Sequence, residues 1–84
     1  MFGKKKYIIG KEYKLPINDI VVTFDFLMSP PRVAKFVRKE NDYLRNHELR
    51  AIELNRKNEI VDGFCSFLIA KKYGIEKPFV KYVE

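Results

Sequence analysis

The sequence predicts a compact α/β (α+β) domain with a small mixed sheet and two main helices. Three observations predict this fold class: an amphipathic helical pattern in the middle of the chain, a strand–turn–strand pattern after it, and an apolar segment over residues 60–74, in which a strand ends at an Asp-Gly turn and a helix begins. The chain of 84 residues suits one domain, and a hydrophobic content of 46% is enough for a core.

The N-terminal region is basic and shows no clear hydrophobic periodicity. Residues 1–14 are expected to form a basic arm that includes three consecutive lysines and is either frayed or pairs as an edge strand around residues 7–9. Residues 15–84 are expected to form the domain itself. A turn signal at residues 18–19 and the β-branched run after it predict a strand over residues 20–23.

The middle helix is predicted to follow a loop at residues 25–28, whose apolar side chains should pack under the fold. Ser29 and the two prolines after it suit a helix start, because the hydroxyl can cap and proline's fixed φ fits the first turn. The helix should run to about Asn46. Its apolar side holds Val33, Phe36, Val37, Tyr43 and Leu44, and its basic side holds Arg32, Lys35, Arg38, Lys39 and Arg45. The basic side is either a solvated face or a phosphate-contacting surface.

The C-terminal half supplies a hairpin, a buried helix and a last strand. Residues 49–54 and 59–61 flank a polar turn, which predicts a β-hairpin. Residues 64–73 are apolar on nearly every side, which indicates a central buried helix ending in a left-handed cap at Gly74. Alternation over residues 78–83 predicts the final strand.

Composition excludes several kinds of site. One cysteine, Cys65, and one histidine, His47, cannot form an internal disulfide or the usual zinc site within one chain. His47 is expected at the surface, with no acid–base partner evident. No run reaches the ~20 apolar residues that cross a bilayer, and no signal-peptide pattern is present, so we expect a cytoplasmic protein away from membranes. The net charge of +6 suits a polyanionic partner and equally suits simple solubility.

These pieces together resemble the ParB/sulfiredoxin superfamily, in particular its small ParB N-terminal (ParB-like nuclease) domains. The resemblance covers residues 15–83. Its pieces are LPINDI (15–20), IVDG (60–63), the helix with Ala70 and Gly74, and KPFV (77–80). It implies the ParB-like fold and a nucleotide phosphate site at the turn that precedes the buried helix.

The residues after that turn depart from both family patterns. In ParB proteins a Glu and two arginines handle nucleotide phosphates there, whereas this chain has Phe64, Cys65 and Ser66, and no guanidinium is left to bind phosphate. In sulfiredoxins the nucleophilic Cys directly follows the glycine. Here Cys65 comes one residue later, which turns it by about 100° on a helix. The resemblance therefore implies a degenerate nucleotide site, a core role for Cys65 and no cofactor.

The candidate ligand-binding residues are Asp62, Gly63 and Ser66, because a helix start directs unpaired N–H groups at the turn. Asp62 could instead cap the helix, or could pair with Glu59 or Asp25 around a metal or as a base. Ser66 could contact a small anion or form only a local hydrogen bond. No metal site is predicted.

Three functions remain open at this level. The first is a non-enzymatic module, DNA-associated or regulatory, that binds DNA without sequence specificity. Its candidate contacts are Lys35, Arg38, Lys39, Arg45, Arg56 and Lys57. The second is a nucleotide-dependent hydrolase or nuclease, which needs phosphate-binding arginines or a carboxylate pair. The third is a protein-interaction or homodimerisation domain that uses Phe24, Phe26 and Leu27, provided that these do not pack in the core. We expect binding rather than catalysis.

Overall fold

The computed structural model describes residues 7–84, so the lysines at 4–6 lie outside the described residues. Four strands form the sheet: β1 (Glu12–Lys14), β2 (Ile52–Leu54), β3 (Ile60–Asp62) and β4 (Phe79–Tyr82). Three helices accompany them: α1 (Phe24–Met28), α2 (Val33–Asn46) and α3 (Phe64–Lys72), with a short 3-10 helix at Ile17–Asp19. None of these helices is long and apolar enough to cross a membrane.

The sheet has the order β1-β4-β2-β3 and is mixed. β2 and β4 run parallel, and the other neighbours are antiparallel. The parallel register places Ile52 opposite Val80 and Leu54 opposite Tyr82. Because alternate strand residues point to one face, these four side chains share the inner face, where all are almost fully buried. The predicted α+β class with a small mixed sheet is confirmed.

The helix α3 fills the space above this face. Its residues Cys65 to Ala70 are buried apart from the half-buried Leu68. The helix ends in a Schellman motif: Gly74 has φ 71°, and the Ile75 N–H donates to the Ala70 carbonyl at 2.9 Å. The prediction of a central buried helix that ends in a left-handed glycine is confirmed.

The segment before α2 differs from the prediction. The expected strand at residues 20–23 is wrong: only Val21 bridges to Glu59, and its N–H donates to the Asn58 carbonyl at 2.8 Å. The expected loop at residues 25–28 is instead α1. Of its apolar side chains only that of Phe26 packs against the core, and the neighbouring ones are exposed. The edge strand lies at β1 and not around residues 7–9.

The helix α2 begins later than predicted and packs on a different side. Arg32 is its N-cap residue, without a side-chain cap, and Ser29 instead ends α1. The end at Asn46 is as predicted, and the exposed His47 follows it in the left-handed region. No residue of α2 is fully buried. The apolar side of α2 does not face the core throughout, because Val33 is 79% exposed.

Candidate functional site

The turn between β3 and α3 is built around Gly63. Its φ of 89° lies in the left-handed region, and an added Cβ would lie 3.2 Å from the Ile52 Cα atom. A side chain is therefore excluded both by backbone conformation and by close packing against β2. The glycine lets the start of α3 approach the sheet directly.

The start of α3 carries no side-chain cap. The Asp62 Oδ1 atom accepts the Gly63 N–H at 2.8 Å, and Gly63 itself is the N-cap residue. The predicted cap by Asp62 is therefore not formed on the first helical turn. The first intrahelical hydrogen bond is donated by the Phe67 N–H to the Gly63 carbonyl. The N–H groups of residues 64–66 consequently have no intrahelical acceptor.

A pocket of about 160 Å³ opens beside this helix start. The predicted ligand residues Asp62, Gly63 and Ser66 all line it, together with Phe64 and Cys65. Three basic side chains line it as well. They are Lys35 and Lys39, one turn apart on α2, and Arg50 in the segment before β2. We call this site the α3 pocket.

Charges in the α3 pocket leave its two lysines without acidic partners. An Nη2 atom of Arg50 lies 3.3 Å from both the Asp62 Oδ2 and the Glu53 Oε2 atoms. Arg50 and Asp62 are largely exposed, so this arrangement adds little stability. Neither Lys35 nor Lys39 takes part in an ion pair within residues 7–84. Of the charged residues that line the pocket, three are basic and only Asp62 is acidic, which leaves a positive excess.

The pocket wall is formed by the first turn of α3. Cys65 and Ser66 are both buried, and the prediction of a core position for Cys65 is confirmed. Among the described side chains, no hydrogen bond involves the Ser66 hydroxyl. The local hydrogen bond considered for Ser66 is absent among these contacts, and the residue lines the pocket.

The remaining candidate residues lie away from the α3 pocket. Arg38 and Arg45 project from the exposed side of α2, and Arg56 and Lys57 are exposed at the tip of the β2–β3 hairpin. Asn55 fixes that tip, because its Oδ1 atom accepts the N–H groups of Lys57 and Glu59 at 2.9 and 3.0 Å. The structure thus unites two of the six predicted nucleic-acid contacts with the predicted ligand residues.

The carboxylates considered as metal ligands do not form a cluster. The Glu59 Oε1 atom accepts from the Asn55 side chain at 2.8 Å, and Asp62 is engaged by Gly63 and Arg50. Residues 7–84 contain no group of three or more Asp, Glu, His or Cys side chains that could hold a metal ion. The pairing of Asp62 with Glu59 therefore lacks support from geometry.

A polar contact links α2 and α3. The Glu40 carboxylate accepts hydrogen bonds from Lys72 and, at 2.6 Å, from the Tyr73 hydroxyl. The hydrogen bond from Lys72, followed by that from Tyr73, lowers the pKa of Glu40. The Tyr43 and Tyr73 rings pack beside it, with centroids 5.4 Å apart. We call this group the Glu40 clamp. It joins α2 to the C-terminal end of α3.

Sequence reasoning missed Arg50 and the Glu40 clamp. Arg50 lies in an irregular segment, where no period indicates which way a side chain points. Glu40 and Lys72 are 32 residues apart, and no local pattern links them. The one available signal was the position of Glu40, a lone acid on the side of α2 between apolar Phe36 and Tyr43.

Comparison with solved structures identifies the fold. The chain is similar to the C2221 form of a pNOB8-like ParB-N domain, with a TM-score of 0.73 and 17% sequence identity over 86% of this chain. A second structure of the pNOB8-like ParB N-domain gives a TM-score of 0.70 and 17% identity over 95% of the chain. The predicted ParB-N-like fold is confirmed.

The likeness concerns fold and only part of those proteins. The chain spans about 29% and 30% of the two ParB-N chains. No protein-family model matches the chain, and no curated protein matches it significantly. At this level of identity the function has to be argued from the site.

Proposed function

We propose that this protein is a non-enzymatic binding module that associates with DNA by contacting backbone phosphates. The observation that carries the proposal is the convergence of Lys35 and Lys39 with the uncapped start of α3 in the α3 pocket. These two lysines belong to the basic side of α2. The cytoplasmic location expected from the sequence is part of the same proposal.

The donors in the α3 pocket suit one phosphate group. Two ammonium groups, the free N–H groups of the first helical turn and the Ser66 hydroxyl can all donate hydrogen bonds to phosphate oxygens. The pocket volume of about 160 Å³ is smaller than the roughly 300–1,000 Å³ typical of ligand and cofactor sites. The size supports a contact with a single phosphate on a chain of phosphates and a degenerate nucleotide site.

The other predicted cations extend the phosphate surface. Arg38 and Arg45 continue it along α2, and Arg56 with Lys57 adds a separate contact at the hairpin tip. Phosphate contacts position a protein on DNA and carry no sequence information. We therefore propose non-specific, salt-dependent binding.

Geometry at Asp62 favours binding over the hydrolase or nuclease alternative. Its Oδ1 atom is occupied by the Gly63 N–H and its Oδ2 atom lies beside Arg50. A carboxylate used as a general base or metal ligand needs an oxygen directed at the reacting group. Asp62 supports the turn and restrains Arg50 instead.

Titration of a fluorescently labelled DNA duplex tests the proposal at two salt concentrations. We expect binding at low salt that weakens steeply as salt rises. The double variant Lys35→Gln/Lys39→Gln should flatten the slope of log K against log salt by about 0.9, since the α3 pocket contacts one phosphate and each lost phosphate contact contributes about 0.9. The matched variant Lys11→Gln/Lys77→Gln removes the same charge from exposed lysines outside the proposed phosphate surface and should have the smaller effect.

Two results would overturn the DNA proposal. One is an absence of duplex binding by the wild-type chain even at low salt. The other is equal weakening by the two double variants, because that would make the effect one of net charge and not of the α3 pocket. If nucleoside triphosphates raise the melting temperature while the duplex does not bind, the nucleotide-dependent alternative replaces this proposal.

One specific observation favours protein interaction as a second candidate function. Core packing was the alternative explanation for Phe24, Phe26 and Leu27 in the sequence. The structure shows that explanation to hold for Phe26, whose ring lies 5.3 Å from that of Phe64. It fails for Phe24 and Leu27, which are 71% and 62% exposed. Light scattering over a range of concentrations would show whether these side chains support a homodimer.

A further inference from the structure

One exposed side of α2 is apolar. Val33, Val37 and Leu44 lie within about 40° of one another around the helix, because successive residues are separated by about 100°. All three are exposed, and Val33 is almost entirely so. We call these three residues the α2 stripe. The half-buried side of α2, which carries Phe36 and Tyr43, lies about a quarter turn away.

An apolar stripe on an amphipathic helix normally faces a core. Here the domain buries a different side of α2, because the Glu40 clamp fixes the rotation of the helix against α3. The helix before it has the same property: Phe24, Leu27 and Met28 are exposed on α1. Two successive helices thus present six large apolar side chains to solvent, which is typical of a surface that binds another protein.

Charge beside the α2 stripe indicates the kind of partner. Arg38 and Arg45 lie on the flank opposite the half-buried side, about 100–120° round the helix from the stripe. Neither arginine forms an ion pair among residues 7–84. On the other flank Glu40 is neutralised by Lys72. Asp42 lies on the same flank as the two arginines, so that border of the stripe carries two positive charges and one negative charge.

A second copy of this chain fits the charge poorly. An antiparallel two-fold contact through the stripe would oppose the same patch on both subunits and so bring Arg38 and Arg45 of each copy together. Each chain also carries a net charge of +6. Like charges across an interface are unfavourable, whereas an acidic partner would pair with both arginines.

We infer that the α2 stripe is a docking surface for an acidic amphipathic helix of a partner protein. Apolar side chains of that helix, spaced at i, i+3/i+4 and i+7, pack on Val33, Val37 and Leu44. Carboxylates along its edge pair with Arg38 and Arg45. This inference takes up the protein-interaction candidate and does not depend on DNA binding.

Synthetic helical peptides about as long as α2 serve as probes. The test peptide carries leucines on one face and glutamates elsewhere. One control peptide keeps the leucines and replaces the glutamates by lysines, and the other keeps the glutamates and replaces the leucines by serines. Fluorescence anisotropy of labelled peptide measures binding to the whole chain. We expect the acidic leucine peptide to bind and both controls to bind at least tenfold more weakly, a difference of about 1.4 kcal/mol.

A matched pair of valines separates the stripe from general surface hydrophobicity. Val37 and Val61 are 42% and 46% exposed, and Val61 lies on β3. Val37→Ser should weaken binding of the acidic leucine peptide about fivefold, since a partly exposed valine would be covered. Val61→Ser should leave it unchanged. Circular dichroism melting of both variants confirms that each folds.

Charge is tested in the same way. Arg38→Gln/Arg45→Gln should weaken binding of the acidic leucine peptide, and Arg56→Gln/Lys57→Gln should not. The inference is overturned by equal binding of the lysine peptide, by equal weakening by Val37→Ser and Val61→Ser, or by a dimer of the chain that Val37→Ser abolishes. The last result would assign the stripe to a second copy. Loss of duplex binding in Val37→Ser would also overturn it, because the stripe would then belong to the DNA surface.

Discussion

The two long helices of this fold use their apolar residues in opposite ways. α3 is apolar on nearly every side and buries most of its length between the sheet and the rest of the domain. α2 has a clear apolar side and buries none of its residues fully. The core therefore depends on α3, and α2 is a peripheral helix whose rotation is set by a polar contact. The difference shows that α3 and the sheet form the core, whereas α2 lies at its edge and carries exposed side chains of the proposed binding surfaces.

Truncation of one apolar side chain in each helix gives the largest expected contrast. Ile69→Ala in α3 removes a side chain that is 1% exposed and should lower the free energy of unfolding by about 2–5 kcal/mol. Val33→Ala in α2 should change it by no more than about 0.5 kcal/mol, because that side chain is in water. Urea unfolding followed by circular dichroism measures both. Similar losses in the two variants would show that α2 belongs to the core.

Glycine substitution at the two ends of α3 tests how closely that helix is held. Gly63→Ala combines a positive φ with a contact at 3.2 Å from backbone, whereas Gly74→Ala meets nothing within 4 Å and has only the positive φ of 71°. We expect Gly74→Ala to cost about 1 kcal/mol and Gly63→Ala to cost more. Urea unfolding decides the order. A larger loss of stability in Gly74→Ala would contradict the close approach of Gly63 to Ile52.

The Glu40 clamp should make the attachment of α2 pH-dependent. The pKa of Glu40 is lowered in the folded protein, chiefly by Lys72. A lowered carboxyl pKa means that the stabilisation is complete above the ordinary value of 4.5 and is lost as the pH falls through the lower, folded value. Glu40→Gln should therefore lower the melting temperature at pH 7 and have a smaller effect under strongly acidic conditions.

Asp42→Asn is the matched control for the clamp. Asp42 is an exposed carboxylate on the same helix and forms no ion pair within the described part of the chain. It should leave the melting temperature nearly unchanged at both pH values. An equal response of the two variants would mean that helix charge, and not the contact with Lys72 and Tyr73, holds α2.

The same contrast between helices explains what sequence could predict. α3 was predictable because every side of it is apolar, so its burial needs no knowledge of its rotation. The Gly63 turn and the Gly74 cap have local signatures as well. The packed side of α2 was not predictable, because long-range contacts of Glu40 and Tyr43 rotate the helix away from its apolar side.

The residues of the candidate site also divide into those that a local sequence pattern predicts and those that depend on long-range contacts. Asp62, Gly63 and Ser66 are adjacent in sequence, so a single local pattern predicts that they share a helix start. Arg50 reaches the α3 pocket only because β2 and β3 pair, which brings it within 3.3 Å of Asp62. The predicted strand at residues 20–23 failed for a related reason, since tertiary context overrides β propensity in a short segment.

Asp62→Asn should have the smallest effect on stability and an informative effect on binding. Asparagine keeps an oxygen that can accept the Gly63 N–H, and the exposed pair with Arg50 adds little, so the free energy of unfolding should change by less than about 1 kcal/mol. Loss of the carboxylate raises the positive charge of the α3 pocket. Duplex binding should therefore become tighter at low salt, while Asp42→Asn, away from the α3 pocket, should change it less. Weaker binding by Asp62→Asn would instead make Asp62 a direct ligand contact, and the α3 pocket would then select a ligand that donates hydrogen bonds rather than a bare phosphate.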